Sequence, residues 1–137
     1  MRLKVNQAEL NEYVRATWGD GSPQVAFVDV LLKAVTKTTR FIPPAYLRSL
    51  LSPLPPALVD EIALAFSMGT PRLLELRFYF ASEDSSGAEF EIEVDELEAA
   101  RLDGYLVHPE SGREFPDFER CLYPFFRPSP DLVQALV

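Results

Sequence analysis

Between Leu74 and Val94 apolar and polar residues alternate on both sides of a turn cluster. Leu74, Leu76, Phe78 and Phe80 are separated by Glu75, Arg77 and Tyr79, while Ala88, Phe90, Ile92 and Val94 are separated by Glu89, Glu91 and Glu93. Between the two runs lies Glu83-Asp84-Ser85-Ser86-Gly87. Side chains of a strand point alternately to its two faces, so this spacing predicts an antiparallel hairpin, 73–82 paired with 88–95. One face is wet, and the other buries Phe78, Phe80, Phe90 and Ile92.

Upstream, the period changes to that of helices. Asn6 is a suitable N-cap with Glu9 three residues on, and Leu10, Tyr13, Val14 and Trp18 recur on one face, predicting a helix over 7–18. Ser22 and Pro23 open a second, predicted over 23–38 and apolar on nearly every side, as a central helix is. Five of the twelve prolines fall between residues 41 and 56. They frame a short helix over 45–52 and start another over 56–68, which Gly69 ends.

Downstream, Asp95–Leu102 reads as a short helix capped by Asp95 and stopped before Gly104. A second hairpin is expected at 105–108/113–115 around Pro109-Glu110-Ser111-Gly112. Residues 115–126 carry Phe115, Phe118, Tyr123, Phe125 and Phe126 with Pro116 and Pro124 interleaved, which predicts an irregular segment. Ser129-Pro130 then opens one or two helical turns. Helices first and antiparallel strands later make an α+β fold, and 137 residues without a linker suggest a single domain, 1–137.

Charge narrows the possible partners. Net charge is −8, distributed unevenly: residues 1–56 hold seven basic and four acidic groups, residues 57–137 six and seventeen. Nine acids and one base, Arg101, fall within 83–103. Such a surface repels phosphate backbones and anionic lipid, so neither nucleic acid nor membrane is expected as a partner. A basic protein would be steered toward it. With one cysteine and no export signal at the N-terminus, a cytoplasmic location is expected.

Motifs for chemistry are sparse. A single histidine and a single cysteine leave no metal-ligand spacing, and no glycine-rich phosphate loop is present, so no cofactor is expected. Asp29, within the apolar run 25–32, reads as part of an exposed stripe of the second helix or as a carboxylate paired with a base such as Lys33, the functional alternative being an acid or base in a pocket. His108, before a proline, reads as a turn residue rather than a general base, and Cys121 as an inert buried thiol. The acidic turn around Asp84 has oxygen ligands but lacks the pattern of a calcium loop.

Two features point to recognition. Glu89, Glu91 and Glu93 form a row of like charge that either protects a sheet edge or docks a basic partner. Phe118, Tyr123 and Phe125 either cap the core or form an apolar contact patch, including one for a homodimer. The sequence therefore points to a non-enzymatic protein–protein interaction domain of the adaptor, chaperone or inhibitor/immunity type. Two alternatives accompany it. One is a small-molecule-binding domain or small enzyme, with a pocket between helices and sheet using Asp29, Tyr13 or His108. The other is a structural subunit of an oligomeric assembly. On alternation alone, the three glutamates should be replaceable by lysine with little effect on the thermal midpoint.

Overall fold

In the computed structural model, residues 6–82 and 89–136 are described. Their contacts gather into two compact units, one formed by residues 6–76 with 126–136 and the other by residues 77–125. The architecture is α+β, with the helices first, as the sequence predicts.

The first unit is built on helix ends that match the sequence signals. Helix α1, Gln7–Trp18, starts where the Asn6 side chain accepts the Glu9 backbone N–H at 2.9 Å, and it buries Leu10 and Val14. Helix α2, Pro23–Ala34, is opened by the Ser22 hydroxyl, which accepts from the Val25 N–H. It packs on α1 and on helix α4, Pro56–Met68, through Phe27, Val28 and Leu31, all at most 1% exposed. Between α2 and α4 lies the short helix α3, Pro44–Leu50. The α2 helix is one turn shorter than the predicted 23–38. Val35 turns to an extended conformation, and threonine hydroxyls then compete for the backbone: Thr39 Oγ1 accepts the Thr36 N–H at 3.0 Å. Likewise α3 starts at Pro44 and stops at Leu50, not 45–52, because Pro44 fits the first helical position and Leu51 leaves the helical region.

Strand β1, Leu74–Ala81, leaves the first unit and runs into the second. There it pairs antiparallel with β2, Glu89–Ile92, with Phe78 opposite Ile92, Tyr79 opposite Glu91, and Phe80 opposite Phe90. The predicted hairpin is present, with strands shorter than 73–82 and 88–95; its turn cluster and Ala88 lie outside the described residues. Phe80 and Ile92 are buried, whereas Phe78 and Phe90 are half-buried at the rim of the same cluster. The second strand ends early because Glu93 is the N-cap of helix α5, Val94–Asp103. Val94 is thereby 53% exposed instead of facing the core, and Asp95 lies within the first turn instead of capping it. Gly104, with φ of 85°, takes the left-handed conformation that ends α5.

The second hairpin forms over β3, Leu106–Val107, and β4, Glu114–Phe115, narrower than the predicted 105–108/113–115. The segment expected to be irregular is ordered otherwise. One turn of 3-10 helix, Phe118–Cys121, leads into strand β5, Leu122–Pro128, giving a sheet of order β2-β1-β5. Proline is tolerated in β5 because the strand lies at the sheet edge, where a missing N–H leaves no ladder position empty.

Back in the first unit, Phe126 exchanges two backbone hydrogen bonds with Ile42, at 2.8 and 2.9 Å. Ser129, 2% exposed, caps helix α6, Pro130–Ala135. Its hydroxyl accepts the Leu132 N–H and donates to the Arg72 carbonyl at 2.6 Å. Replacing Ser129 with alanine removes both bonds at a buried site. It is expected to lower unfolding free energy by about 1–3 kcal/mol, read by urea denaturation, and a loss within error would mean that water replaces both.

Candidate functional site

The three-stranded sheet positions the site. Tyr79 of β1 stands opposite Glu91 of β2, so both project from the same face. On the other side Tyr79 meets β5: its ring stacks on Tyr123 at 5.3 Å and 26°, and lies 6.1 Å from Phe125. Glu91, Tyr79 and Tyr123 thus form a row across three strands, and exposed Glu89 lies beyond Glu91 on the same face. Tyr123 is 45% exposed and Tyr79 half-buried.

One cation organises the acidic part. Arg77, two residues before Tyr79, donates from Nη2 to Glu91 Oε2 at 2.6 Å and to Glu93 Oε2 at 3.0 Å. The Arg77 side chain is 13% exposed, and its Nε is buried without a hydrogen-bond partner. The hydrogen bond that Arg77 donates to Glu91 is the main cause that raises the Arg77 pKa above the ordinary arginine value; burial acts in the opposite direction. The stabilisation that goes with a raised arginine pKa is lost as pH rises through that value in strong alkali, so this pair is indifferent to pH around neutrality. Three glutamates against one arginine leave the surface negative.

The residues singled out in the sequence therefore separate. Glu89, Glu91 and Tyr123 come together on one face. Glu93 joins them through Arg77 from the start of α5 and not from the strand. Phe118 and Phe125 are each 3% exposed, packed inside, so of the aromatic segment Tyr123 is the ring that reaches solvent. Tyr79 carried no functional reading in the sequence, although its position in the alternation already placed it on the polar face.

The isolated polar residues have local explanations. Asp29 pairs with Arg15 of α1 at 3.4 Å, not with Lys33, because α1 packs directly on α2. Tyr13 lies exposed on α1. His108 Nδ1 accepts the backbone N–H groups of Glu110 and Ser111, both at 3.1 Å, which leaves the ring proton on Nε2. Its ring meets Phe90 edge-on at 5.1 Å, so it is a turn-forming histidine. Cys121, 7% exposed, lies in the core of the second unit. It borders a cleft of about 300 Å³ shared with Phe80, Arg113, Phe115, Asp117 and Arg120. Of the charges there, Arg120 pairs with Asp117 at 3.4 Å, and Arg113 lies 4.7 Å over the Phe115 ring.

Among the described residues no group of three or more histidine, cysteine, aspartate or glutamate side chains is arranged to hold a metal ion, and no helix is long and apolar enough to cross a membrane. No protein-family model, no curated protein and no solved structure matches the chain.

Proposed function

We propose that this chain is a non-enzymatic recognition module that binds a basic segment of a partner protein at the exposed part of the β2-β1-β5 sheet that carries Glu89, Glu91 and Tyr123. The observation that carries this reading is the row Glu91–Tyr79–Tyr123, in which a carboxylate lies beside two stacked tyrosine rings, Tyr123 being the exposed one. Lysine and arginine are recognised by such a pair of chemistries: the carboxylate takes the charge and the ring face takes the cation and its alkyl stem. Tyrosine adds contact area at small entropic cost. The excess of acid over base steers basic partners and repels polyanions, so nucleic acid is not among its ligands. A cytoplasmic setting accompanies this reading, resting on the single cysteine.

The test is a fluorescence-anisotropy titration of the full chain with labelled Arg/Lys-rich peptides and with neutral counterparts of equal length. Saturable binding of the basic peptides is expected, weakening as salt rises from about 50 to 200 mM. Tyr123→Ala and Glu89→Gln should each weaken it severalfold; Glu89→Gln should leave stability nearly unchanged because its side chain is exposed, whereas Tyr123→Ala also removes the stack on Tyr79 and should cost about 0.5–1.5 kcal/mol. Equal binding of basic and neutral peptides, or none of either, would overturn the reading and leave the glutamates as protection of a sheet edge.

A further inference from the structure

A second site lies wholly within the first unit. The end of α1, the start of α2 and one side of α4 enclose a cleft of about 250 Å³. Trp18, Leu58, Ile62 and Phe66 make its wall apolar. The Trp18 ring meets Phe66 edge-on at 5.5 Å and 71°, which fixes the plane of the indole. Against this wall stand three polar side chains, the Gln24 amide, the Glu61 carboxylate and the Thr70 hydroxyl.

Among the described residues, Glu61 is the one ionisable residue that lines the cleft. Its neighbour in sequence, Asp60, is gripped by Arg48, which donates from Nε and Nη2 to the two carboxylate oxygens at 2.8 Å each. The Glu61 side chain makes no ion pair or hydrogen bond among the described residues. Of two adjacent carboxylates on α4, one is matched by the protein itself and the other faces the cleft unmatched.

We propose that this cleft binds a small organic ammonium ion, its cationic head at Glu61 and its apolar body against Trp18, Leu58 and Phe66. Charge complementarity chooses the head, because among the described residues the lining offers a single negative charge and no positive one. The volume limits the body: at about 30 Å³ per water-sized group the cleft takes about eight non-hydrogen atoms, the size of an arylalkylamine. This site is independent of the sheet face and uses none of its residues.

The position of the chain's sole tryptophan makes the test direct. The full chain is titrated with 2-phenylethylammonium, with 2-phenylethanol as the neutral isostere and 3-phenylpropionate as the anion, following Trp18 fluorescence at about 150 mM salt. A saturable change is expected for the ammonium ion at millimolar concentration or below, with the alcohol about five- to tenfold weaker and the carboxylate weaker still. Glu61→Gln should reduce ammonium binding to the level of the alcohol. Ala65→Leu, at an exposed position of α4 that lines the cleft, should abolish binding of both by filling it, with the fold retained as judged by its thermal midpoint. Replacing Glu89, Glu91 and Glu93 by glutamine should leave ammonium binding unaltered, which separates this site from general attraction to an acidic protein. The proposal is overturned by equal affinity for the three compounds, by unaltered preference in Glu61→Gln, or by no saturable change up to about 10 mM ammonium.

Discussion

Replacing Phe80 with alanine is expected to lower the unfolding free energy by about 3–5 kcal/mol. Phe80 is fully buried and lies 5.5 Å from the Phe90 ring and 4.7 Å from the Phe115 ring, so three separate strands meet at it. Its removal leaves a cavity bounded by β1, β2 and β4 that those short strands cannot close. Phe78 has the same sequence environment and belongs to the same run, yet it is half-buried. Phe78→Ala should therefore cost less than half as much. Urea denaturation of the two variants checks the pair of values. A loss under about 1 kcal/mol for Phe80→Ala would mean that the second cluster does not depend on this ring.

The double variant Glu91→Lys, Glu93→Lys is expected to destabilise the chain by about 2–4 kcal/mol, as two hydrogen bonds between charged groups are lost, each ordinarily contributing about 1.5–3 kcal/mol. The lower end is set by Glu93, whose side chain is 63% exposed and whose pair with Arg77 is screened by solvent. The Glu91 bond, to an arginine 13% exposed, contributes more. After reversal the Arg77 guanidinium faces two cations, with its Nε already lacking a partner. This revises the expectation from alternation, under which all three glutamates could become lysine at little cost. Glu89 alone keeps that property, and Glu89→Lys should shift stability by no more than about 0.5 kcal/mol. Thermal or chemical denaturation at low and high salt separates the contributions, with the Glu93 part shrinking as salt rises. An unaltered midpoint in the double variant would show that Arg77 finds other partners. In the peptide titration Glu89→Lys is accordingly the cleaner reversal, because slower association can then be read without a change in folding.

Much of this molecule was determined by local chemistry that the sequence displays. The limits of α1 and α4, the Ser129 cap and the β1–β2 pairing each follow from a hydroxyl or amide cap, a proline at the first helical position, or strict alternation of apolar residues. These signals act within a few residues of the chain, so no knowledge of distant contacts is needed to read them. Where two local signals compete, only tertiary structure decided. Glu93 continues an alternating strand pattern and also precedes a helix; it became the N-cap, and the row of three glutamates was broken into two on a strand and one at a helix end. Proline-bearing residues 122–128 carry no strand pattern of their own. They form β5 because β1 offers an open edge, and hydrogen bonding to an existing strand outweighs weak intrinsic preference. The same long-range pairing brought Tyr123 onto Tyr79, forty-four positions earlier in the chain, and set Asp29 against Arg15 instead of Lys33. The cleft at Trp18 arose in the same way: its wall is assembled from three helices, and neither the spacing nor the composition of any one of them reveals which faces will meet.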